Sequence, residues 1–203
     1  MSSSLGYRRP APQPVKDSGP GAGIYIAFVP WVLFTLITQH GSLIAASVVA
    51  LVAAAAISVP SLLKGRPRLL EVAAVVAFAG FTIVAVQADA ATSADIARYA
   101  RAIAAAGLAL TAFGSLLFVP FTEQYARESV PRQFWDSPQF KRINRQLTAM
   151  WGLVFTAMVP SHLIAGVIDT HRANMIFNWV IPIVLIVWAA KRTAAVASDR
   201  QGA

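Results

Sequence analysis

The chain has 203 residues, 57% of them hydrophobic and only 13% charged, where a soluble domain carries roughly 25% charged residues. Its net charge is +8 and it has no cysteine, which excludes disulfides, thiolate metal sites and cysteine nucleophiles. The charges sit in a few short segments between long uncharged windows, so composition indicates an all-α fold, a polytopic bundle of transmembrane helices.

Residues 1–22, MSSSLGYRRPAPQPVKDSGPGA, are rich in Ser, Pro and Gly. They lack the apolar core of a cleaved signal peptide and are expected to form a disordered cytoplasmic tail. The transmembrane domain is expected over 23–190. A membrane helix needs about 20 apolar residues, and six windows qualify: 23–40, 42–62, 69–88, 102–121, 147–168 and 175–190. Residues 191–203 form a second cytoplasmic tail.

Orientation follows from the basic residues. With the N-terminus inside, the inner segments hold 14 Lys and Arg, and the outer loops hold only Arg98, Arg101 and Arg172. By the positive-inside rule this predicts six spans with both termini cytoplasmic. The basic excess is therefore a topology signal, and it excludes a nucleic-acid partner. Arginine outnumbers lysine 13 to 4, a bias associated with GC-rich bacterial genomes, so the membrane is read as a bacterial inner membrane.

Small residues mark close helix approach in lipid. The second span carries Ala46, Ala50, Ala54 and Ser58 at four-residue spacing, and the fourth carries Gly107, Thr111 and Ser115. Both stripes are predicted to lie at the centre of the bundle. A weak parallel repeat of helix–loop–helix units is also legible: Ser61-Leu62-Leu63 with Pro67 and Ala73, then Ser115-Leu116-Leu117 with Pro120 and Ala126.

Between the fourth and fifth spans, PFTEQYARESVPRQFWDSPQFKRINRQ (120–146) gathers eight charges. Thr122 is predicted to cap a helix over Glu123–Val130, with Glu123 and Arg127 paired at i,i+4. A second start signal is Ser137 or Asp136 as N-cap, with Pro138 at the first helical position, and no further proline occurs until Pro160. A helix over 138–168 would be about 46 Å long, well beyond the hydrocarbon thickness. Residues 122–146 are thus expected to form an amphipathic cytoplasmic elbow on the inner leaflet, with Phe140, Ile143 and Leu147 on its apolar face. Arg127, Arg132, Trp135, Lys141, Arg142 and Arg145 are its candidate contacts with anionic lipid or another membrane protein.

Inside the spans the notable polar residues are His162, following Pro160-Ser161, and Asn178 at a similar depth. Intramembrane polar groups are functional candidates, and His162 is predicted to hydrogen-bond Asn178 or the carbonyl freed by Pro160. His40, His162 and His171 all fall on the outer side, but no carboxylate stands at ligand spacing, so neither a metal nor haem is expected and no cofactor is assigned. Ser161 and His162 point about 100° apart on a helix, which argues against a hydrolase. Prolines in or ending five spans (Pro30, Pro60, Pro120, Pro160, Pro182) favour internal cavities. However, no span as drawn carries a charge near its centre, as ion coupling requires.

GRP at 65–67, PFTEQYARE at 120–128 and WDSP at 135–138, with Phe140, Asn144, Thr148 and Trp151-Gly152, resemble motifs of the intracellular septation protein A-like membrane proteins of bacteria. The likeness is best over 110–190. It departs at Val119-Pro120, where that family would carry Gly-Arg before the proline. The resemblance implies an inner-membrane protein of cell-envelope or division context and no catalytic residues. The expectation is a non-enzymatic integral membrane protein acting through its elbow. The alternative is a small transporter of a lipophilic or weakly charged solute.

Overall fold

A computed structural model describes residues 22–40 and 42–198; the expected tail over most of 1–22 and the end of the chain beyond 198 lie outside them. Every regular element among the described residues is helical: α1 (Ala22–Ala27), α2 (Val29–His40), α3 (Leu43–Leu63), α4 (Leu69–Gln87), α5 (Ala90–Ser115), α6 (Phe121–Ala126), α7 (Pro138–Ile168), α8 (His171–Met175) and α9 (Ile181–Ser198). A short 3-10 turn, Arg132–Phe134, precedes α7, and a π-helical turn, Ile176–Val180, joins α8 to α9. Five segments are long and apolar enough to cross a membrane: α3, α4, α5, α7 and the run His171–Ala197; Gly23–Gln39 is a shorter apolar helix. By the length and composition of its helices this is a multi-pass integral membrane protein.

Local chemistry explains most boundaries. Ser42, Asp89, Ser137 and Thr170 each accept a hydrogen bond from a backbone N–H in the first turn of α3, α5, α7 and α8. α7 starts at Pro138 as the sequence signal has it, and of the two offered caps Ser137, not Asp136, is the one used. The first apolar segment is interrupted at Phe28, where Pro30 offers no N–H to the preceding turn.

The fourth span departs from expectation. Instead of 102–121 it runs Ala90–Ser115, because the Asp89 cap starts an alanine-rich stretch that nothing breaks. Arg98 and Arg101, expected in a loop, are therefore helical residues.

Packing pairs α3 with α2 and α4, α5 with α7, and α7 with α9. Ala46, Ala50, Ala54 and Ser58 are all buried on α3, so its backbone closes on its neighbours as the small-residue stripe predicts. The α5 stripe is corrected. Gly107 and Thr111 are half-buried, only Ser115 is buried, and a Cβ on Gly107 would meet open space. The buried seam of α5 is Ala105, Leu108, Ala109 and Ala112. Close approach to α7 is made possible by α7's own glycines. A Cβ on Gly152 would lie 2.8 Å from Cζ of Phe113, and one on Gly166 would lie 2.7 Å from Cε1 of Tyr99.

Aromatic rings fill the core between α2 and α4, with Trp31 on Phe78 and Phe34 on Phe81 at 4.8 Å between centroids. Trp151 stacks on Phe28 at 5.6 Å, and its indole N–H donates to Thr193 Oγ1 at 3.1 Å, tying α7 to α9. The bundle has two chemically distinct ends. Loop 64–68, residues 116–137 and the start of α7 share a basic end; the α4–α5 and α7–α8 turns form the far end.

Candidate functional site

At the basic end, α6 folds back under the bundle with Phe121, Thr122, Glu123 and Tyr125 buried. Thr122 is not a cap. Its hydroxyl donates to the Asn144 carbonyl at 2.9 Å and lies 2.8 Å from Thr148 Oγ1, and the helix runs Phe121–Ala126 instead of 123–130. The physical reason is competition: two polar partners on α7 outbid the local N–H groups for the hydroxyl. Phe121 N–H donates to Ser115 Oγ at 3.1 Å. Gln124 bridges two elements: Oε1 accepts from Leu69 N–H at 2.8 Å, and Nε2 donates to the Val119 carbonyl at 3.0 Å. The N-cap position of α4, Arg68, supplies no side-chain cap of its own, so Gln124 serves an orphan donor from 55 residues away.

A charge network binds the same segment to loop 64–68. Glu71, with its side chain 1% exposed, accepts from Ser61 at 2.5 Å and pairs with Arg68 at 2.7 Å. It stands in the first turn of α4, where the helix dipole favours an anion. Arg68 also pairs with Glu128 and lies over the Tyr125 ring at 5.0 Å. Burial, with the nearby charge of Glu71, pushes the Tyr125 phenol above its ordinary range.

The six predicted contact residues divide. Arg127 pairs with buried Glu123 at 2.6 Å, the i,i+4 pair expected, and lies over Trp135 at 5.1 Å; Arg132 approaches the same ring at 6.0 Å. Trp135 donates to the Val130 carbonyl at 2.8 Å. Lys141 pairs with Asp136 at 3.0 Å, and that bond holds the Asp136 carboxyl below its usual range. Arg145 donates to the Leu116 carbonyl just past α5 at 3.1 Å. Arg142 is exposed and makes no ion pair or hydrogen bond with another described residue. The segment is thus a clamp between α4, α5 and α7. On α7 the face turned to the bundle is Phe140, Asn144, Thr148 and Trp151, all buried, while Ile143 and Leu147 are half-buried. Beside the clamp is a cavity of about 230 Å³, lined by Gly23, Ile26, Ile57, Pro60, Ser61, Lys64 and Arg68.

At the far end, buried His162 and Asn178 meet, Nδ1 to Oδ1 at 2.6 Å, so of the two partners expected for His162 it takes Asn178. A carboxamide oxygen only accepts, so Nδ1 carries the imidazole proton. Asn178 Nδ2 donates to Asn174 Oδ1 at 2.7 Å, and that oxygen also accepts from Arg101 Nη1 at 3.3 Å. Arg101 Nη2 donates to the Thr35 carbonyl on α2 at 3.1 Å, and its guanidinium lies 5.9 Å from the Trp179 ring centroid. Ser161 donates to the Phe177 carbonyl at 2.7 Å, inside the π turn that carries Asn178; such turns recur at functional sites. Arg98 pairs with Asp169 at 3.0 Å. Of these residues Arg98, Arg101, Asp169, Asn174 and Asn178 line a cavity of about 370 Å³, together with Thr38, Gln39, Thr170 and His171.

Arg98, Asp169, Thr170 and His171 are exposed at the rim of this group, while Arg101 is half-buried and His162 and Asn178 are buried beneath it. Fourteen residues separate Ser115 from Arg101, and fourteen separate Thr148 from His162. Each interval is about 21 Å of helix, which falls short of the roughly 30 Å hydrocarbon core when counted from Ser115 and Thr148 as its inner edge. Arg101 was missed because hydropathy windows placed it before the fourth span; the Asp89 cap and the unbroken run that follows were the signal for it. Among the described residues no group of three or more His, Asp or Glu converges as a metal site. No protein-family model, curated protein or solved structure matches the chain.

Proposed function

We propose that the chain is a non-enzymatic integral membrane protein that sets its basic end against an anionic membrane surface, the cytoplasmic face of a bacterial inner membrane. One observation carries the reading. Leu63, Leu117 and Phe118 are 83%, 80% and 85% exposed at the same end as Lys64, Arg66, Arg132 and Arg142. Fully exposed apolar side chains among cations suit the lipid–water boundary, where each basic residue gains about 1 kcal/mol from anionic headgroups. The clamp ties this segment to the bundle, with Arg127, Lys141 and Arg145 engaged by Glu123, Asp136 and the Leu116 carbonyl. The resemblance to septation protein A-like proteins supports an envelope context, with lipid or a second membrane protein as the partner.

The test is reconstitution in zwitterionic and in anionic phospholipid. The wild type is expected to unfold at higher temperature in anionic lipid, and a triple Lys64→Glu, Arg66→Glu, Arg142→Glu variant to lose that gain. Equal midpoints in both lipids would remove the reading.

A second reading, a small transporter of a weakly charged solute, is favoured by Arg101 and the cavity it lines within the bundle. Solute flux that is lost in His162→Ala at normal membrane levels would select it over the first.

A further inference from the structure

We propose that the far-end cavity is a binding site for a small monoanionic carboxylate, with Arg101 as the cation that recognises it. Arg101 is half-buried on α5 among the helices of the bundle, where an unmatched charge is costly. Both of its Nη atoms donate to uncharged acceptors, Asn174 and the Thr35 carbonyl, and its Nε is buried with no acceptor. It forms no ion pair with any described carboxylate. Asp169, the one acid among the described residues lining the cavity, is taken by Arg98. Arg98, Arg101 and Asp169 together leave the described lining with one formal positive unit, and a single negative charge would neutralise it.

Shape and chemistry narrow the class further. At about 370 Å³ the cavity falls within the size of small-molecule sites. Besides the cation it presents the carboxamides of Gln39, Asn174 and Asn178 and the methyls of Ala94 and Ala97. It therefore offers hydrogen-bonding groups for a polar head and apolar surface for a short organic body. A guanidinium matches a planar carboxylate in geometry as well as charge. A phosphate dianion would bring more charge than the lining balances. The hydrogen-bond chain from His162 through Asn178 to Asn174 fixes the carboxamide that orients the guanidinium.

The inference is independent of the lipid-docking reading, and binding without flux would leave it standing. The test uses the full chain in nanodiscs of zwitterionic lipid, titrated with lactate, benzoate, inorganic phosphate and chloride. Calorimetry and thermal midpoint are the readouts. Lactate or benzoate is expected to bind once per chain and raise the midpoint, and Arg101→Gln to weaken binding about 10- to 100-fold. Asn174→Asp places a carboxylate within hydrogen-bonding reach of Arg101. It is expected to raise the midpoint without ligand and to abolish carboxylate binding, which decides the matter should Arg101→Gln fail to fold. The proposal is overturned if neither carboxylate binds the wild type. It is equally overturned if Asn174→Asp binds as the wild type does, or if phosphate or chloride binds and the carboxylates do not.

Discussion

The hydroxyl of Ser61, near the end of α3, donates to Oε2 of Glu71 on α4 at 2.5 Å, while Arg68 holds the other oxygen at 2.7 Å. A carboxylate 1% exposed is thereby matched on both sides. Glu71→Ala should cost about 1–3 kcal/mol, a figure kept below that of a fully buried pair because Arg68 is about a quarter exposed and retains Glu128. The check is thermal unfolding in detergent. A Glu71→Ala, Arg68→Ala double variant should lose less than the two single losses added together.

The glycines make a prediction of opposite signs. Gly166→Ala drives a methyl to 2.7 Å from the Tyr99 ring, whereas Gly107→Ala enters open space. The first should lower stability by about 1–2 kcal/mol after the helix propensity gain is offset. The second should hold or raise it by up to about 1 kcal/mol. Reversed signs in the unfolding midpoints would restore the Gly107 stripe as the packing seam.

Gln124→Ala strips the α4 N-terminus of its distant cap. The loss should be about 1 kcal/mol, and hydrogen exchange at the Leu69 amide should quicken while the middle of α4 stays protected. Uniform quickening along α4 would mean that Gln124 holds more than a helix end.

Asn178→Leu leaves His162 Nδ1–H without its acceptor and Asn174 Oδ1 with Arg101 alone as donor, for a loss of about 1–3 kcal/mol. A His162→Phe, Asn178→Leu double variant should restore part of it, since both sides of the bond are then apolar. Strict additivity in a thermal-unfolding cycle would show that the two side chains are not coupled.

Much of this was legible where local chemistry decides. Ser137-Pro138 set the start of α7, the alanines of α3 set its buried stripe, and His162 and Asn178 were matched by depth alone. Tertiary competition was not legible. Thr122 had a local capping role open to it, but Asn144 and Thr148 lay within reach once α6 folded under α7. Gly107 shows the same limit: small residues mark where a helix is able to approach another, but the partner's glycines decide which face does. Arg101 was lost for a third reason. Window hydropathy penalises an arginine wherever it stands, while a well-capped alanine helix carries it into the bundle.

The most direct measurement of the account is sidedness, and a chain without cysteine offers no labelling background. Ala91→Cys lies at the exposed start of α5 at the far end, and Ser129→Cys is exposed at the basic end. With an impermeant thiol reagent on intact cells, Ala91→Cys should label at once and Ser129→Cys only after the membrane is opened. Labelling in the reverse order, or of both from one side, would contradict a bundle that crosses the membrane with its basic end in the cytoplasm.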